Sequence, residues 1–224
     1  MKFPGYKTPI LMYHKIDHGY ATSKLSVSPQ SFRRQIEFIV RKNIKVISLE
    51  QLVDMSVGRT VAITFDDGFL NNYFHAFPVL KEYGMPSTIF IITDRIGGDN
   101  YVTWDQIREM AKNGVNIGSH TKSHRPLIEL SEAEAREEII GSKRTLEDAL
   151  GMRIKAFSYP LGAFNDEIID IVKRAGYSSA CATNPPAKYK GTDPFSLRRI
   201  KITRTSDNLF LFSLKVSGYY TLFK

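Results

Sequence analysis

The chain has 224 residues, 42% of them apolar and 12% aromatic, with a formal net charge of +8. Such a composition supports one domain with a sizeable core and excludes a disordered polypeptide; no linker, low-complexity run or internal repeat divides residues 1–224. The charge favours anionic partners, but Arg33-Arg34, Arg41-Lys42 and Arg198-Arg199 lie far apart, with no helix-turn-helix, zinc-finger or RNA-binding signature, so nucleic acid is not an expected partner. The lone Cys181 excludes an internal disulfide and reads as a buried thiol. The apolar run before His14, residues 10–13, has only four residues, too few for a signal-peptide core, and no segment reaches membrane-spanning length. The sequence as written therefore reads as cytoplasmic, although a chain trimmed of a leader or anchor would read the same and act outside the cytoplasm.

In chain order, the apolar run 10–13 reads as a buried strand ending at His14. Ser28-Pro29 then opens a helix whose apolar face is Phe32, Ile36, Ile39 and Val40. Strands follow at 61–65, 87–92, 115–119, 156–159, 178–182 and 197–202. Thr103 with Gln106, and Ser131 with Glu134, have the spacing of capping boxes; Gly84, Gly114, Gly151 and Gly176 stand where helices should stop. Strand alternating with helix implies a largely parallel sheet, either open or closed. About seven strands, and no phosphate-binding glycine motif, favour an incomplete barrel.

Functional groups in parallel α/β folds gather at the carboxyl ends of the strands. Here His14, Asp66-Asp67-Gly68, His120-Thr121-Lys122-Ser123-His124 and Pro160-Leu161-Gly162 each end an apolar run. A helical turn through residues 120–124 would place both imidazoles on one face, where they could share a cation. Two histidines and a carboxylate suit zinc, iron, cobalt or nickel, with positions left open for water and substrate. Two adjacent carboxylates are uncomfortable unless one binds a cation and the other holds a water.

At these residues the chain resembles the polysaccharide deacetylases, carbohydrate esterase family four. Thr64 to Gly68 match Thr-Phe-Asp-Asp-Gly, and His120 to His124 match His-Ser/Thr-X-X-His. The resemblance runs from about Tyr13 to Ile202 and implies a distorted (β/α)7 barrel, one divalent metal on Asp67, His120 and His124, and Asp66 as general base. The family's third motif, Arg-X-Pro-Tyr-Gly, is matched only partly by Ser158-Tyr159-Pro160-Leu161-Gly162, with serine for arginine and leucine for tyrosine. Arg199 is a candidate for the missing positive charge. No histidine follows His124, and Tyr13-His14-Lys15-Ile16 is similar to the permuted branch that includes poly-N-acetylglucosamine deacetylases, which implies His14 as the acid.

The expected reaction is hydrolysis of an N-acetyl group on a sugar, poly- or oligosaccharide or lipid-linked, with zinc the first candidate metal. Asp66 would take a proton from water, His14 would protonate the amine, and residues 159–162 would contact substrate, the Leu161 N–H facing the oxyanion. The alternatives are O-deacetylation and a carbohydrate-binding pseudoenzyme with Tyr159 and Trp104 stacking on sugars. A membrane-surface contact through residues 209–223 is a further alternative to a C-terminal helix capped by Asp207. Nothing in the sequence fixes the oligomeric state.

Overall fold

The computed structural model describes residues 8–18, 25–54, 59–183, 185 and 193–220. Its strands are β1 (Ile10–Tyr13), β2 (Lys15–Ile16), β3 (Ser26–Val27), β4 (Lys45–Val46), β5 (Thr60–Phe65), β6 (Ser87–Ile91), β7 (Val115–Ser119), β8 (Ala156–Ser158), β9 (Ser179–Ala182), β10 (Leu197–Arg198) and β11 (Ile200–Lys201). Its helices are α1 (Pro29–Arg41), α2 (Leu49–Asp54), α3 (Phe77–Glu82), α4 (Trp104–Lys112), α5 (Glu132–Arg136), α6 (Ser142–Leu150), α7 (Asp166–Arg174) and α8 (Leu209–Lys215).

All pairings in the main sheet are parallel, in the order β10-β9-β8-β7-β6-β5-β1-β11, with β4 beside β5. The expected strand at 197–202 is split at Arg199: its first half pairs with β9 and its second with β1. One run thus joins the two ends of the sheet, which curls into a nearly closed barrel with an unsealed seam, the distorted, incomplete (β/α)7 architecture. Parallel strands need covered faces, and β1, β5, β6 and β9 are accordingly buried along their whole length.

Helix boundaries follow the chemistry of their ends. Ser28 caps α1 with Pro29 at its first position, and both expected capping boxes form. Gly84, Gly114, Gly151 and Gly176 all have positive φ. On α1, Phe32, Ile36 and Ile39 are buried, whereas Val40 is 41% exposed and off the core face. The C-terminal helix is capped by Asn208, whose side chain accepts from the Phe210 and Leu211 N–H groups; Asp207 lies in the preceding 3-10 turn. Phe212 and Val216 dock that helix, leaving Phe210, Leu211 and Leu214 exposed; residues 221–223 lie outside the described residues. Cys181 is buried, and burial pushes its thiol up to about 12, as an inert core residue requires. Among the described residues no helix is long and apolar enough to cross a membrane.

Candidate active site

The functional residues stand one step beyond the strand ends and stay tied to the ladder. Asp66 N–H donates to Tyr13 O at 3.0 Å, His120 N–H to Ile91 O at 2.8 Å, and Arg199 N–H to Ala182 O at 3.0 Å. After β5 the chain turns through two left-handed residues, Asp67 (φ 72°) and Gly68 (φ 74°). A Cβ on Gly68 would approach Ile91 Cδ1 to 3.0 Å, so both the backbone angle and the space call for glycine.

The two histidines do converge, but not through the expected helical turn. Thr121 (φ 67°) and His124 (φ 66°) are both left-handed, and residues 120–124 form a tight loop. His124 N–H donates to Thr121 Oγ1 at 3.0 Å, and the two imidazole centroids lie 4.7 Å apart. Glu138, buried in the π-helical turn between α5 and α6, fastens this loop by accepting from Lys122 N–H and Ser123 N–H, each at 2.9 Å, and from Ser123 Oγ at 2.5 Å.

His120 Nε2 and His124 Nε2 each lie 3.6 Å from Asp67 Oδ1. Ligands about 2.1 Å from a tetrahedral cation are separated by about 3.4 Å, so the three residues fit one metal with little movement. Among the described residues this is the group of three or more acids, histidines or cysteines whose ligand atoms all lie within 4.8 Å. His120 Nδ1 meets Ser158 O at 2.8 Å; with the carbonyl as acceptor, Nδ1 carries the proton and Nε2 turns its lone pair inward. Burial holds His120 down to about 4 and lowers His124 as well, which favours the neutral imidazoles that a metal would need. Burial, reinforced by the Asp66 charge, pushes Asp67 up to about 7, which is the environment a cation would relieve.

Asp66, 3% exposed, takes no part in that group. Arg199 grips it with both ends of its guanidinium, Nη1 to Oδ1 at 2.6 Å and Nη2 to Oδ2 at 2.7 Å. Arg199 also donates to Ser158 Oγ at 2.9 Å and Thr64 Oγ1 at 3.3 Å, and lies 5.4 Å from the Phe90 ring centroid. Burial alone would raise the Asp66 carboxyl; the Arg199 charge, then His120, the Arg199 hydrogen bonds and His14 hold it below the usual carboxylate range.

His14 is lowered by burial against the opposing pull of Asp66, and its Nδ1 is buried with no hydrogen-bond partner among the described residues. Asn72 Nδ2 donates to His14 O at 2.8 Å and fixes that backbone. Leu161 has φ 56° and a side chain 71% exposed at the rim. Pro160 and Gly162 are buried. Tyr159 corrects an expectation: it is 1% exposed, stacked on Phe164, and its hydroxyl donates to Phe195 O at 2.9 Å, so its ring cannot stack on a sugar. Trp104 packs partly against the core. Of the supporting residues, Ser158 stands in the motif's arginine position and could have been singled out; Asn72 and Glu138 look like ordinary helix residues and left no such signal.

The family description "Polysaccharide deacetylase" matches residues 55–180, leaving His14 and Arg199 outside the match. YxkH of Bacillus subtilis is 32% identical over 203 residues, 88% of this chain and 72% of that protein. The poly-β-1,6-N-acetyl-D-glucosamine N-deacetylase of Staphylococcus aureus is 29% identical over 206 residues, 83% of this chain and 69% of that one. The Streptococcus pyogenes deacetylase PplD, solved in complex with acetate, superposes with a TM-score of 0.82 at 29% identity, covering 91% of this chain and 97% of that chain. With both motifs at the strand ends of the expected barrel and more than half of its length matched, the chain belongs to the polysaccharide deacetylase family, the carbohydrate deacetylases of carbohydrate esterase family four.

Proposed function

We propose that this protein hydrolyses the N-acetyl group of an N-acetylated glycan, with Asp67, His120 and His124 holding one divalent cation, zinc first, with cobalt, nickel or iron as alternatives. The observation that carries the reading is that Asp67, His120 and His124 bring their ligand atoms within 4.8 Å of one another beside a second carboxylate, Asp66, which the set does not use and Arg199 grips. The name of the Staphylococcus aureus relative supports amide over ester as the bond cleaved. A cation held by these three residues would polarise a carbonyl and acidify water.

Asp66 accepts the water's proton, oriented by the two-pronged grip of Arg199. The Leu161 N–H, on a left-handed residue between Pro160 and Gly162, donates to the oxygen on which negative charge develops. His14, whose Nδ1 makes no hydrogen bond among the described residues, delivers a proton to the departing amine. The test is acetate release from N-acetylglucosamine oligomers, O-acetylated glycans and lipid-linked sugars by enzyme stripped of metal and reloaded with single metals. Release from the N-acetylated members, dependent on metal, is the expected result. Glycan retention without acetate release in any metal would establish a binder instead, and release only from O-acetylated members an esterase.

A further inference from the structure

A row of four side chains without a part in the proposed reaction lies beside Asp67. Phe69, two residues beyond Asp67, and Tyr101 are joined by an isolated antiparallel bridge, and their rings stack with centroids 5.3 Å apart. Each ring supports a cation. Lys15 Nζ lies 4.4 Å from the Phe69 centroid; the Arg95 guanidinium lies 5.4 Å from the Tyr101 centroid and donates to the Tyr101 hydroxyl at 3.2 Å. The two cations come from separate strand ends: Lys15 follows His14, and Arg95 closes the 3-10 turn after β6. Lys15 is half-buried and Arg95 exposed at the rim.

Both charges reach the Asp67 carboxyl, and that of Arg95 also reaches His124. Neither forms an ion pair among the described residues. Asp17 Oδ2, on the acid nearest Lys15 in sequence, accepts from Ser26 and Asn71, and Asp94, beside Arg95, forms no ion pair among the described residues. Two cations held over a stacked aromatic pair, with no ion-pair partner among the described residues, raise the potential beside Asp67. An acetamido group is neutral and gains little from that field; a negative substituent beside it gains directly.

We propose that Lys15 and Arg95 form an anion-recognition ledge that selects N-acetylated glycans carrying a carboxylate or phosphate on or next to the sugar being deacetylated. The inference rests on the deacetylase reading given above. Exposed ion pairs contribute modestly, so two together should give a preference of about tenfold in kcat/KM. The experiment compares a neutral N-acetylglucosamine oligomer with matched oligomers bearing a lactyl carboxylate or a phosphomonoester, in the wild type and in a Lys15→Gln/Arg95→Gln variant. The reading is the ratio of charged to neutral substrate, because Lys15 adjoins His14 and absolute rates can change.

A ratio of about ten that falls to about one in the variant, survives in Lys15→Arg/Arg95→Lys, and is erased by about 0.5 M salt supports the ledge. The arm with the higher ratio identifies the substituent. A wild-type ratio near one, or one unchanged in the Gln variant, overturns it. Absence of acetate release from every oligomer contradicts the deacetylase reading instead. Dissociation constants of the same oligomers for Asp66→Asn protein, with and without Lys15 and Arg95, then report on the ledge alone.

Discussion

The Arg199 guanidinium fits Asp66 as a fork fits a carboxylate, and its Nη2 also meets Ser158 Oγ, the side chain standing where the family motif has arginine. The positive charge therefore arrives from the closing strand and ends at the position the motif would have filled from β8. Because the folded Asp66 carboxyl is depressed, its pairing contributes stability that is present above the ordinary carboxylate value, about 3.9, and is lost only as pH falls through the depressed one. Arg199→Ala leaves a buried charge unpaired and should cost about 3–5 kcal/mol in chemical denaturation. It also removes the lowering influence, so Asp66 should protonate at higher pH and the acid limb of kcat/KM should move upward. Arg199→Lys, which keeps the charge but not the fork, should fall between; an unaltered pH profile and turnover in Arg199→Ala would exclude any part for this residue in the chemistry. The sequence exposed Arg199 as one of two adjacent arginines near a strand end, but not which of them turns inward, since that depends on where the strand changes partner.

At the scale of elements, the longer strands were legible because buried parallel strands are continuous apolar runs, whereas β2, β3 and β4, two residues each, are too short to show a pattern; the capping boxes were legible because capping requires particular side chains. The loop 120–124 was not. Its left-handed Thr121 and His124 carry no glycine to mark them, and what holds them is Glu138, sixteen residues away from Lys122 in an unrelated helix. Glu138→Ala removes the acceptor of two loop N–H groups and of the Ser123 hydroxyl and should weaken metal affinity about tenfold or more, measured by chelator competition, with the fold retained. Equal affinity in variant and wild type would show that the loop holds its shape without this carboxylate. Gly118 in β7 has a similar supporting role: a Cβ there would lie 2.5 Å from Phe90 Cδ1, beneath the ring that Arg199 covers. Gly118→Ala should destabilise by about 1–3 kcal/mol through overpacking, read from its denaturation midpoint.

Over the whole molecule, barrel closure brings together groups from both ends of the chain: His14 after the first strand, the Asp and His motifs from the middle, and Arg199 at the seam. Residue order showed that these groups end strands, and a seven-strand alternation showed that strand ends converge. Neither could show that Tyr159 turns into the core, because a residue one step past a strand end can point either way. The ligand set exists only in the folded chain, so a divalent cation at about 100 times its Kd should add about 2.7 kcal/mol of stability, seen as a rise in Tm that Asp67→Ala abolishes. The central claim is that one aspartate binds the metal while its neighbour handles the proton, and Asp66→Asn separates the two functions. Metal content and acetate release should be measured together on that variant. The account predicts wild-type metal stoichiometry with turnover abolished; acetate release at the wild-type rate would contradict it.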